Sequence, residues 1–272
     1  MARIPRPPAD RAVLSRRRLR ALIHDREPHR GLLVAFEGAD GSGKSTQRKL
    51  LKRWLKSDGA HVVTSKWKSS RLIKPLIKSR KTLRALSPEE FSLLHAADYR
   101  HRLETEILPA LWSGSIVLAD RFLFTGLARD AARGLEFDWL LNVYRPLFWP
   151  DVVLYFNVSP ETSTERIGTE RAPSFYEAGQ DITGLDDAVA SYRRFISRVI
   201  REYDALALIF RFVTIDAEQP IYDQHQAIRA LVRQTPRRRW ADWNEEALFE
   251  WLARGSNAAS TAETLRSVVE QC

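Results

Sequence analysis

A nine-residue segment near the start of the chain has the residue types and spacing that bind phosphate. Residues 38–46 read Gly-Ala-Asp-Gly-Ser-Gly-Lys-Ser-Thr and match the pattern G-x-x-x-x-G-K-[ST]. The glycines let several backbone N–H groups point at one anion, Lys44 places a positive charge against the outer phosphates, and the Ser45 hydroxyl can ligate magnesium. We therefore predict a nucleoside triphosphate site made of Gly38, Ala39, Asp40, Gly41, Ser42, Gly43, Lys44, Ser45 and Thr46.

A second chemical feature is an acid followed directly by a cation at the end of an apolar segment. Asp120-Arg121 follows Ile-Val-Leu-Ala at residues 116–119. An aspartate there can support a magnesium ion, and an arginine can clamp a phosphate with two parallel N–H bonds. The same pair could instead be a structural ion pair at a strand end. The phosphate-binding loop elsewhere in the chain favours the phosphate role.

The segments around the loop have the patterns of a strand and a helix. Leu32–Phe36 is apolar and has the length of a strand. Residues 46–56 place apolar side chains on one helical face, and Asp58-Gly59 is a stop signal. A loop between a strand and a helix N-terminus holds phosphate with the help of the helix dipole.

Residues 31–234 alternate strand and helix patterns throughout. Ser87-Pro88-Glu89-Glu90 is typical of a helix start, and we expect this helix to reach Trp112 with a bend near Pro109. A second long helix is predicted from Leu185 to about Leu208. The candidate strands are Leu32–Phe36, His61–Ser65, Ile116–Ala119, Val152–Phe156 and Phe212–Ile215.

This alternation predicts an α/β protein in which a five-stranded parallel sheet is the middle of three α/β/α layers. Together with the loop at residues 38–46, it indicates the P-loop NTPase fold. Ligands should lie beyond the carboxyl ends of the strands.

The two ends of the chain differ from this central part. Residues 1–30 hold nine arginines against three acids and are expected to form a basic N-terminal extension, either a solvated tail or a contact with nucleic acid, an anionic surface or a partner. We predict that residues 235–272 form a short helical C-terminal extension rich in tryptophan.

An internal segment is also strongly basic. Residues 65–84 carry eight basic residues and no acid, which is either a solvated helix face or a wall of the substrate site.

Composition limits the class of protein. The net charge is +9, but it is concentrated in the tail and in the patch at 65–84, so it is weak evidence for nucleic-acid binding. The single cysteine, Cys272, allows no disulfide within the chain and fits the cytoplasm. No apolar run is long enough for a bilayer, and the start has no apolar stretch like that of a signal peptide.

Several segments together resemble the thymidylate kinases over roughly residues 31–234. They are Phe36–Gln47, Asp120–Phe122, the alanine-rich segment 128–134 that ends Ala-Arg-Gly, residues 154–167 and residues 215–220. The resemblance implies a nucleoside monophosphate kinase, which transfers the γ-phosphate of Mg-ATP to dTMP or a similar nucleotide and acts as a homodimer.

The resemblance also implies roles for single residues. Lys44 would stabilise the transferring phosphoryl group, Asp40 would face the acceptor, and Arg121 would bind the acceptor monophosphate. Ser45 and Asp120 would hold magnesium. Gly41 occupies a position where some members of the family carry an arginine, and such members take the catalytic cation from the lid. Arg166 or Arg171 would then be the transition-state arginine, and a solvated charge is the alternative for each.

The chain departs from the family pattern where the acceptor is expected. The family's Arg-Glu-Pro-Gly-like segment is replaced by residues 65–70, in which Lys66 is the candidate cation. The family's Phe-Ala-Ala-Asp-Arg appears as His95-Ala96-Ala97-Asp98-Tyr99, so His95 would stack on the base and Arg100 could supply the charge. Asp130 replaces one residue of a Tyr-Gln pair and, when ionised, would favour a base edge that offers donors.

Three functions therefore stay open from the sequence. The first is a kinase that acts on dTMP, and the second is a related kinase with another acceptor, such as a different nucleotide or polyphosphate. The third, less favoured, is a P-loop ATPase that binds nucleic acid through its arginine-rich tail.

Overall fold

The computed structural model describes residues 31–145 and 147–235, and its centre is a sheet of five parallel strands in the order β2-β3-β1-β4-β5. The pairing is in register, so that Ala35 of β1 lies opposite Ala119 of β3 and Val153 of β4. The strands are β1 (Leu32–Gly38), β2 (Val62–Lys66), β3 (Ile116–Asp120), β4 (Val152–Asn157) and β5 (Val213–Asp216).

Helices connect the strands and cover the sheet. Those after β1 and β2 are α1 (Lys44–Ser57), α2 (Lys74–Thr82), α3 (Pro88–Arg102) and α4 (Leu108–Trp112). Those after β3 and β4 are α5 (Leu123–Ala131), α6 (Phe137–Val143), α7 (Pro160–Glu170), α8 (Gln180–Thr183) and α9 (Ala188–Ile209), and α10 (Ile221–Gln234) follows β5.

The burial of β1 shows that both faces of the sheet are covered. Leu33, Val34, Ala35 and Phe36 are all fully buried, although successive residues of a strand point to opposite faces. This continuous apolar run is typical of a central strand in a parallel sheet. Helix α1 packs against α10 and against strands β1, β2 and β3. Helix α9 packs against α5, α7 and β4. The predicted three-layer α/β fold is confirmed.

Strand and helix boundaries differ from the sequence predictions by a few residues. The strands end one or two residues later than predicted, which puts Gly38 and Asp120 inside β1 and β3. Ser87 caps α3 as predicted, since its hydroxyl accepts a hydrogen bond from the Glu90 N–H at 3.1 Å.

Helical backbone continues from Pro88 to Trp112 as predicted, although not as one regular α-helix. A π-helical turn at Leu103–Ile107 separates α3 from α4. It lies directly before the helix that contains Pro109, which has no N–H to donate to the preceding turn.

The extensions predicted at residues 1–30 and 235–272 lie outside the described residues, apart from Thr235. Within the described part of the chain, no helix combines the length and the apolar character needed to cross a membrane.

Candidate active site

The loop after β1 is built from backbone that closely approaches its neighbours. Gly38 has a φ of +132°, and a Cβ there would lie 2.6 Å from the carbonyl oxygen of Phe156 on β4. Only glycine fits at this position. The chain then turns so that Gly43, with a φ of +80°, precedes the first residue of α1, and the loop therefore leads directly into a helix N-terminus.

Lys44 lies inside this loop. Its side chain is buried, and Nζ donates hydrogen bonds to the Ala39 carbonyl oxygen and, at 3.0 Å, to the Ser42 hydroxyl. Burial and the neighbouring Arg121 lower the pKa of Lys44 to about 7. A phosphate oxygen beside Nζ would favour the charged form of the lysine, since an opposite charge within a few ångströms does so.

Asp120 and Ser45 meet beside the loop because β3 is the neighbour of β1. The Ser45 hydroxyl lies 3.4 Å from Asp120 Oδ2, and Arg48 Nε donates to the same oxygen at 3.1 Å. One hydroxyl and one carboxylate fit magnesium, which binds through few protein ligands together with phosphate oxygens and water. Among the described residues, no group of three or more His, Cys, Asp or Glu side chains could hold a metal.

Asp40 is held between two arginines. Arg121 Nη2 donates to Oδ1, and Arg129 Nη1 donates to Oδ2 at 3.1 Å. Burial alone would raise the pKa of Asp40, but Arg121, Arg129, Lys44 and Lys68 outweigh it and hold that pKa well below its usual range. Asp40 therefore stays ionised and fixes both guanidinium groups.

Arg121 adopts an unusual backbone conformation directly after Asp120. Its φ is +66°, which is uncommon for a residue other than glycine and is found at functional sites. Its Nη1 donates to the Gly38 carbonyl oxygen at 3.1 Å, so the side chain lies against the start of the loop. The Asp40 carboxylate raises the pKa of Arg121 above its ordinary value despite burial, so the guanidinium is charged.

Glu37 supports this arrangement from the core. The carboxylate is fully buried and accepts hydrogen bonds from Phe122 N at 2.9 Å, Thr125 N at 3.3 Å and the Tyr203 hydroxyl at 2.9 Å. Burial raises the pKa of Glu37, and these hydrogen bonds oppose that effect. They tie the end of β1 to the first turn of α5, next to Arg121.

Two cavities meet at Asp40 and Arg121, which line both of them. The first, of about 520 Å³, follows the loop and is called the loop cavity. It is lined by loop residues 40–47 together with Asp120, Arg121, Arg166, Thr169, Ala217, Gln219, Ile221 and Gln224. The second, of about 390 Å³, is called the aromatic cavity because Trp67, Phe91, His95 and Tyr176 lie in its wall.

The rings of the aromatic cavity are arranged around His95. The Trp67 and His95 rings are nearly parallel with centroids 5.8 Å apart, and Phe91 lies 4.1 Å from His95. His95 Nδ1 lies 2.6 Å from the Phe91 carbonyl oxygen, which can only accept, so Nδ1 carries the hydrogen. Burial, Lys81 and Lys68 lower the pKa of His95 well below its usual value, so the ring is neutral.

Basic side chains complete the wall of this cavity. Arg129 and Lys68 lie toward Asp40, and Lys81 lies over the rings of Phe91 and Tyr176. Lys68 keeps part of its surface in solvent, yet the surrounding protein and then Arg129 lower its pKa. The aromatic cavity therefore combines aromatic rings with positive charges, which suits a ligand that is both planar and anionic.

The chain matches the thymidylate kinase family model over residues 36–228. The chain belongs to the thymidylate kinase family. Membership makes it an ATP-using phosphotransferase with nucleotide substrates and confirms the resemblance seen in the sequence.

Individual thymidylate kinases are similar in sequence to this chain along most of its length. A probable thymidylate kinase 2 of Saccharolobus solfataricus is 40% identical over 205 residues, covering 75% of this chain and 96% of that protein. A probable thymidylate kinase of Thermococcus gammatolerans is 33% identical over 214 residues, 75% of this chain and 97% of that protein. The thymidylate kinase of Halothermothrix orenii is 34% identical over 209 residues, 73% of this chain and 95% of that protein.

The two arginines predicted in the lid lie at different cavities of this thymidylate kinase family member. Arg166 lines the loop cavity, and its Nη1 donates to the carbonyl oxygens of Gly41 and Ala217, each at 3.2 Å. Arg171 lines the aromatic cavity, and its guanidinium binds both oxygens of Glu177 at 2.8 and 2.6 Å. Arg166 is therefore the better placed of the two to reach a transferring phosphoryl group.

Two predicted acceptor residues lie away from the aromatic cavity. Lys66 is the exposed last residue of β2 and lines neither cavity. Arg100 is exposed and pairs with Glu104. It follows His95 by five residues, which places it about 140° around the helix from that ring. The structure gives neither residue a contact with the site.

Asp130 does reach the aromatic cavity, but from a buried position. Its Oδ2 accepts a hydrogen bond from the Tyr144 hydroxyl at 2.9 Å, and its side chain is almost fully buried. Burial raises the pKa of Asp130 to about 6.

Lys68 and Lys81 belong to the basic patch at 65–84, for which a wall of the substrate site was one of two predicted roles, but neither lysine was predicted individually. Arg129 and Glu37 were not predicted as site residues. For Arg129 a signal was present, since Arg121, Thr125 and Arg129 follow one another at intervals of four, as along one helical face.

Proposed function

We propose that this enzyme transfers the γ-phosphoryl group of Mg-ATP to dTMP and so produces dTDP and ADP. This proposal is supported by the position of the two cavities, since the loop cavity and the aromatic cavity meet at Asp40 and Arg121. A triphosphate in the first cavity and a monophosphate in the second would bring their phosphates together there.

The loop cavity is suited to the donor. Loop N–H groups and Lys44 would hold the β- and γ-phosphates, and Arg166 would neutralise charge on the transferring group from the opposite side. Ser45 and Asp120 would hold magnesium, which when bound draws negative charge from the phosphate oxygens.

The aromatic cavity is suited to the acceptor. Arg121, Arg129 and Lys68 surround the end near Asp40, where they would bind the acceptor phosphate. The rings of Trp67, Phe91 and His95 form the part where a planar base can stack. Because Asp40 holds Arg121 and Arg129 in fixed positions, these donors need little rearrangement when the phosphate enters.

The reaction depends on the alignment of the two nucleotides and on the stabilisation of phosphate charge more than on proton transfer. An oxygen of the acceptor phosphate forms a bond to the γ-phosphorus, while the bond from that phosphorus to the β–γ bridging oxygen breaks and ADP leaves. A phosphate oxygen that is already ionised needs no general base. The work of the protein is to align the two nucleotides and to stabilise charge, which the clustered cations would do.

A panel of acceptors tests the proposal. Purified protein is incubated with Mg-ATP and dTMP, dUMP, dCMP, dAMP, dGMP or polyphosphate, and ADP and the phosphorylated product are both quantified. We expect dTMP to have the highest kcat/KM. Transfer to polyphosphate or to a purine nucleotide in preference to dTMP would overturn the proposal.

We further propose a cytoplasmic homodimer. Family membership supports the dimer, and Leu76 of α2 and Leu93 of α3 expose about half of their surface, as residues of an interface would in a single chain. The single cysteine fits a reducing compartment. Light scattering coupled to gel filtration should give twice the chain mass of 31.3 kDa.

A further inference from the structure

A buried arginine that lines neither cavity contacts three of the residues that line the aromatic cavity. Arg133 lies in the turn after α5, and its side chain has no exposed surface. Its guanidinium lies over the ring of Phe91, 4.1 Å from the centroid, and donates hydrogen bonds to the carbonyl oxygens of Arg129 and Tyr176 at 3.1 and 2.7 Å. These three residues come from α3, α5 and the segment between α7 and α8, so one side chain joins three parts of the cavity wall.

The segment between α7 and α8 is bound to the same guanidinium a second time. Residues 171–179 are called the wall segment here, since four of them line the aromatic cavity. Asp181, two residues beyond the wall segment, accepts a hydrogen bond from Arg133 Nε at 2.8 Å, and both side chains are almost completely buried. A charge-assisted pair with a planar donor fixes the orientation of its two partners as well as their distance. Arg133 therefore holds the wall segment at Tyr176 and again just after its end.

The ring of the wall segment that faces the cavity is packed apart from the main core. Tyr176 and Phe91 form a small apolar cluster with Leu86. Phe195 of α9 belongs to the main core, and the Arg133 guanidinium lies 4.6 Å from the centroid of its ring as well. Arg133 thus connects the small cluster to the core through contacts with a ring of each. Without it, Tyr176 would be held by the small cluster and by the hydrogen bond from Leu86 N to its hydroxyl.

We propose that Arg133 is a positioning residue, which holds Phe91 and the wall segment in the places where they bind the acceptor nucleotide. This inference rests on the proposed function, since it takes dTMP as the acceptor. Arg133 does not touch the nucleotide itself. Its contribution is that the wall is already in place, so that binding need not order it. None of the residues that Arg133 contacts lines the loop cavity, so binding of the donor should not depend on Arg133.

A purely structural role for Arg133 would give a different kinetic result. Loss of one partner of a buried ion pair lowers stability, because the other charge stays buried without its counter-charge. A smaller folded fraction reduces the amount of active enzyme, and therefore the apparent kcat, while the KM values for both substrates stay the same. A positioning role instead changes KM for dTMP and leaves KM for Mg-ATP as it is.

The test compares Arg133→Met with Arg193→Met. Arg193 of α9 also forms an ion pair, with Glu161 of α7 at 3.0 Å, but more than half of each side chain is exposed and neither residue lines a cavity. Steady-state kinetics give KM for dTMP and for Mg-ATP, each with the other substrate saturating. Because a misplacement of about 1 Å can cost about 100-fold, we expect Arg133→Met to raise KM for dTMP by about 10-fold or more and to leave KM for Mg-ATP within about 2-fold. Arg193→Met should match the wild type.

Hydrogen–deuterium exchange measures the wall segment without turnover. Ala178 N donates to the Ser174 carbonyl oxygen at 2.8 Å, within the segment. We expect peptides that cover residues 174–181 to exchange faster in Arg133→Met than in the wild type, because local opening becomes easier, and peptides that cover β1 to be unchanged.

Arg133→Lys keeps the positive charge but lacks the planar fork, so it should give an intermediate KM for dTMP. If Arg133→Met does not fold, Arg133→Lys decides by the same criteria. An equal rise in KM for dTMP and Mg-ATP, no rise for dTMP, or unchanged exchange of the wall segment would overturn the role of Arg133 and leave the proposed function intact. A wild-type enzyme that does not phosphorylate dTMP would instead overturn the proposed function, and the exchange measurement would still show whether Arg133 holds the wall segment.

Discussion

The loop cavity and the aromatic cavity are built in different ways. The loop cavity takes most of its chemistry from one continuous segment, residues 40–47, and much of it from backbone N–H groups. The aromatic cavity collects side chains from α2, α3, α5 and the segment between α7 and α8. A site made of backbone is fixed by a short motif, whereas a site made of distant side chains can change its specificity by single substitutions. This difference explains why the donor is readable from the sequence and the acceptor is not.

We expect the largest loss of activity from a substitution in the loop cavity. Lys44→Ala removes the one buried ammonium of the loop, and we expect kcat to fall by about 10³-fold, because a single positioned donor to a developing charge contributes this much. Lys49→Ala, which changes an exposed lysine of the same helix, is the control and should be near wild type. If Lys44→Ala retained more than a tenth of the activity, the role assigned to the loop lysine would be wrong.

The structure of the aromatic cavity should depend on a buried carboxylate, that of Asp98. Asp98 is fully buried and accepts from Arg102 Nε at 2.8 Å, Lys68 N at 2.9 Å and Ser70 N at 3.0 Å. It holds the segment that carries Trp67 and Lys68. Asp98→Asn leaves Arg102 buried without its counter-charge, and we expect urea unfolding to show a loss of about 3 kcal/mol.

An exposed pair of the same spacing is the matched control for Asp98. Arg100 and Glu104 are also four residues apart, with about half of each side chain in solvent. Glu104→Gln should change the free energy of unfolding by no more than about 0.5 kcal/mol. If Asp98→Asn and Glu104→Gln changed the free energy of unfolding equally, Asp98 would not hold the segment that carries Trp67 and Lys68.

Arg121 should couple the two cavities, since it lines both. Arg121→Asn removes the guanidinium with a residue that tolerates positive φ, so it adds little backbone strain. We expect kcat to fall by about 100-fold and KM for dTMP to rise as well, because two charge-assisted contacts are lost. A change in KM for ATP alone, with dTMP kinetics unaltered, would place Arg121 with the donor only.

The smallest predicted effect is a pH dependence on the aromatic side. Burial raises the pKa of Asp130 to about 6 in the folded protein, above its ordinary value of 3.8. The folded state therefore holds this proton more tightly than the unfolded state, and the stability it confers is lost as the pH rises through 6.

Between pH 5 and pH 6.5 this loss should be about 1 kcal/mol. Urea unfolding of wild type and Asp130→Asn at these two pH values measures it, since the variant lacks the titrating group. A wild type whose stability changes no more than that of the variant would contradict the raised pKa.

Sequence alone predicted the sheet and the loop because both depend on local patterns. Buried apolar runs mark the strands, and the loop chemistry lies within residues 38–46. Asp120 and Arg121 were found for the same reason, since the end of one strand places both.

The acceptor side depends on contacts between residues far apart in the chain. Lys66 was predicted where the structure brings Lys68, because Lys68 has a φ of +61° and its N–H is bound by Asp98, thirty residues later. Lys81 reaches the cavity only because α2 packs against α3. Neither contact leaves a periodic signal in the sequence.

In the proposed function, the two cavities hold donor and acceptor with their phosphates in contact. The most direct measurement is the ratio of products formed by the full-length protein from Mg-ATP and dTMP, with ADP and dTDP quantified in the same samples by anion-exchange chromatography. We expect one dTDP for each ADP and almost no ADP without dTMP. ADP formed in the presence of dTMP without a matching amount of dTDP would contradict it.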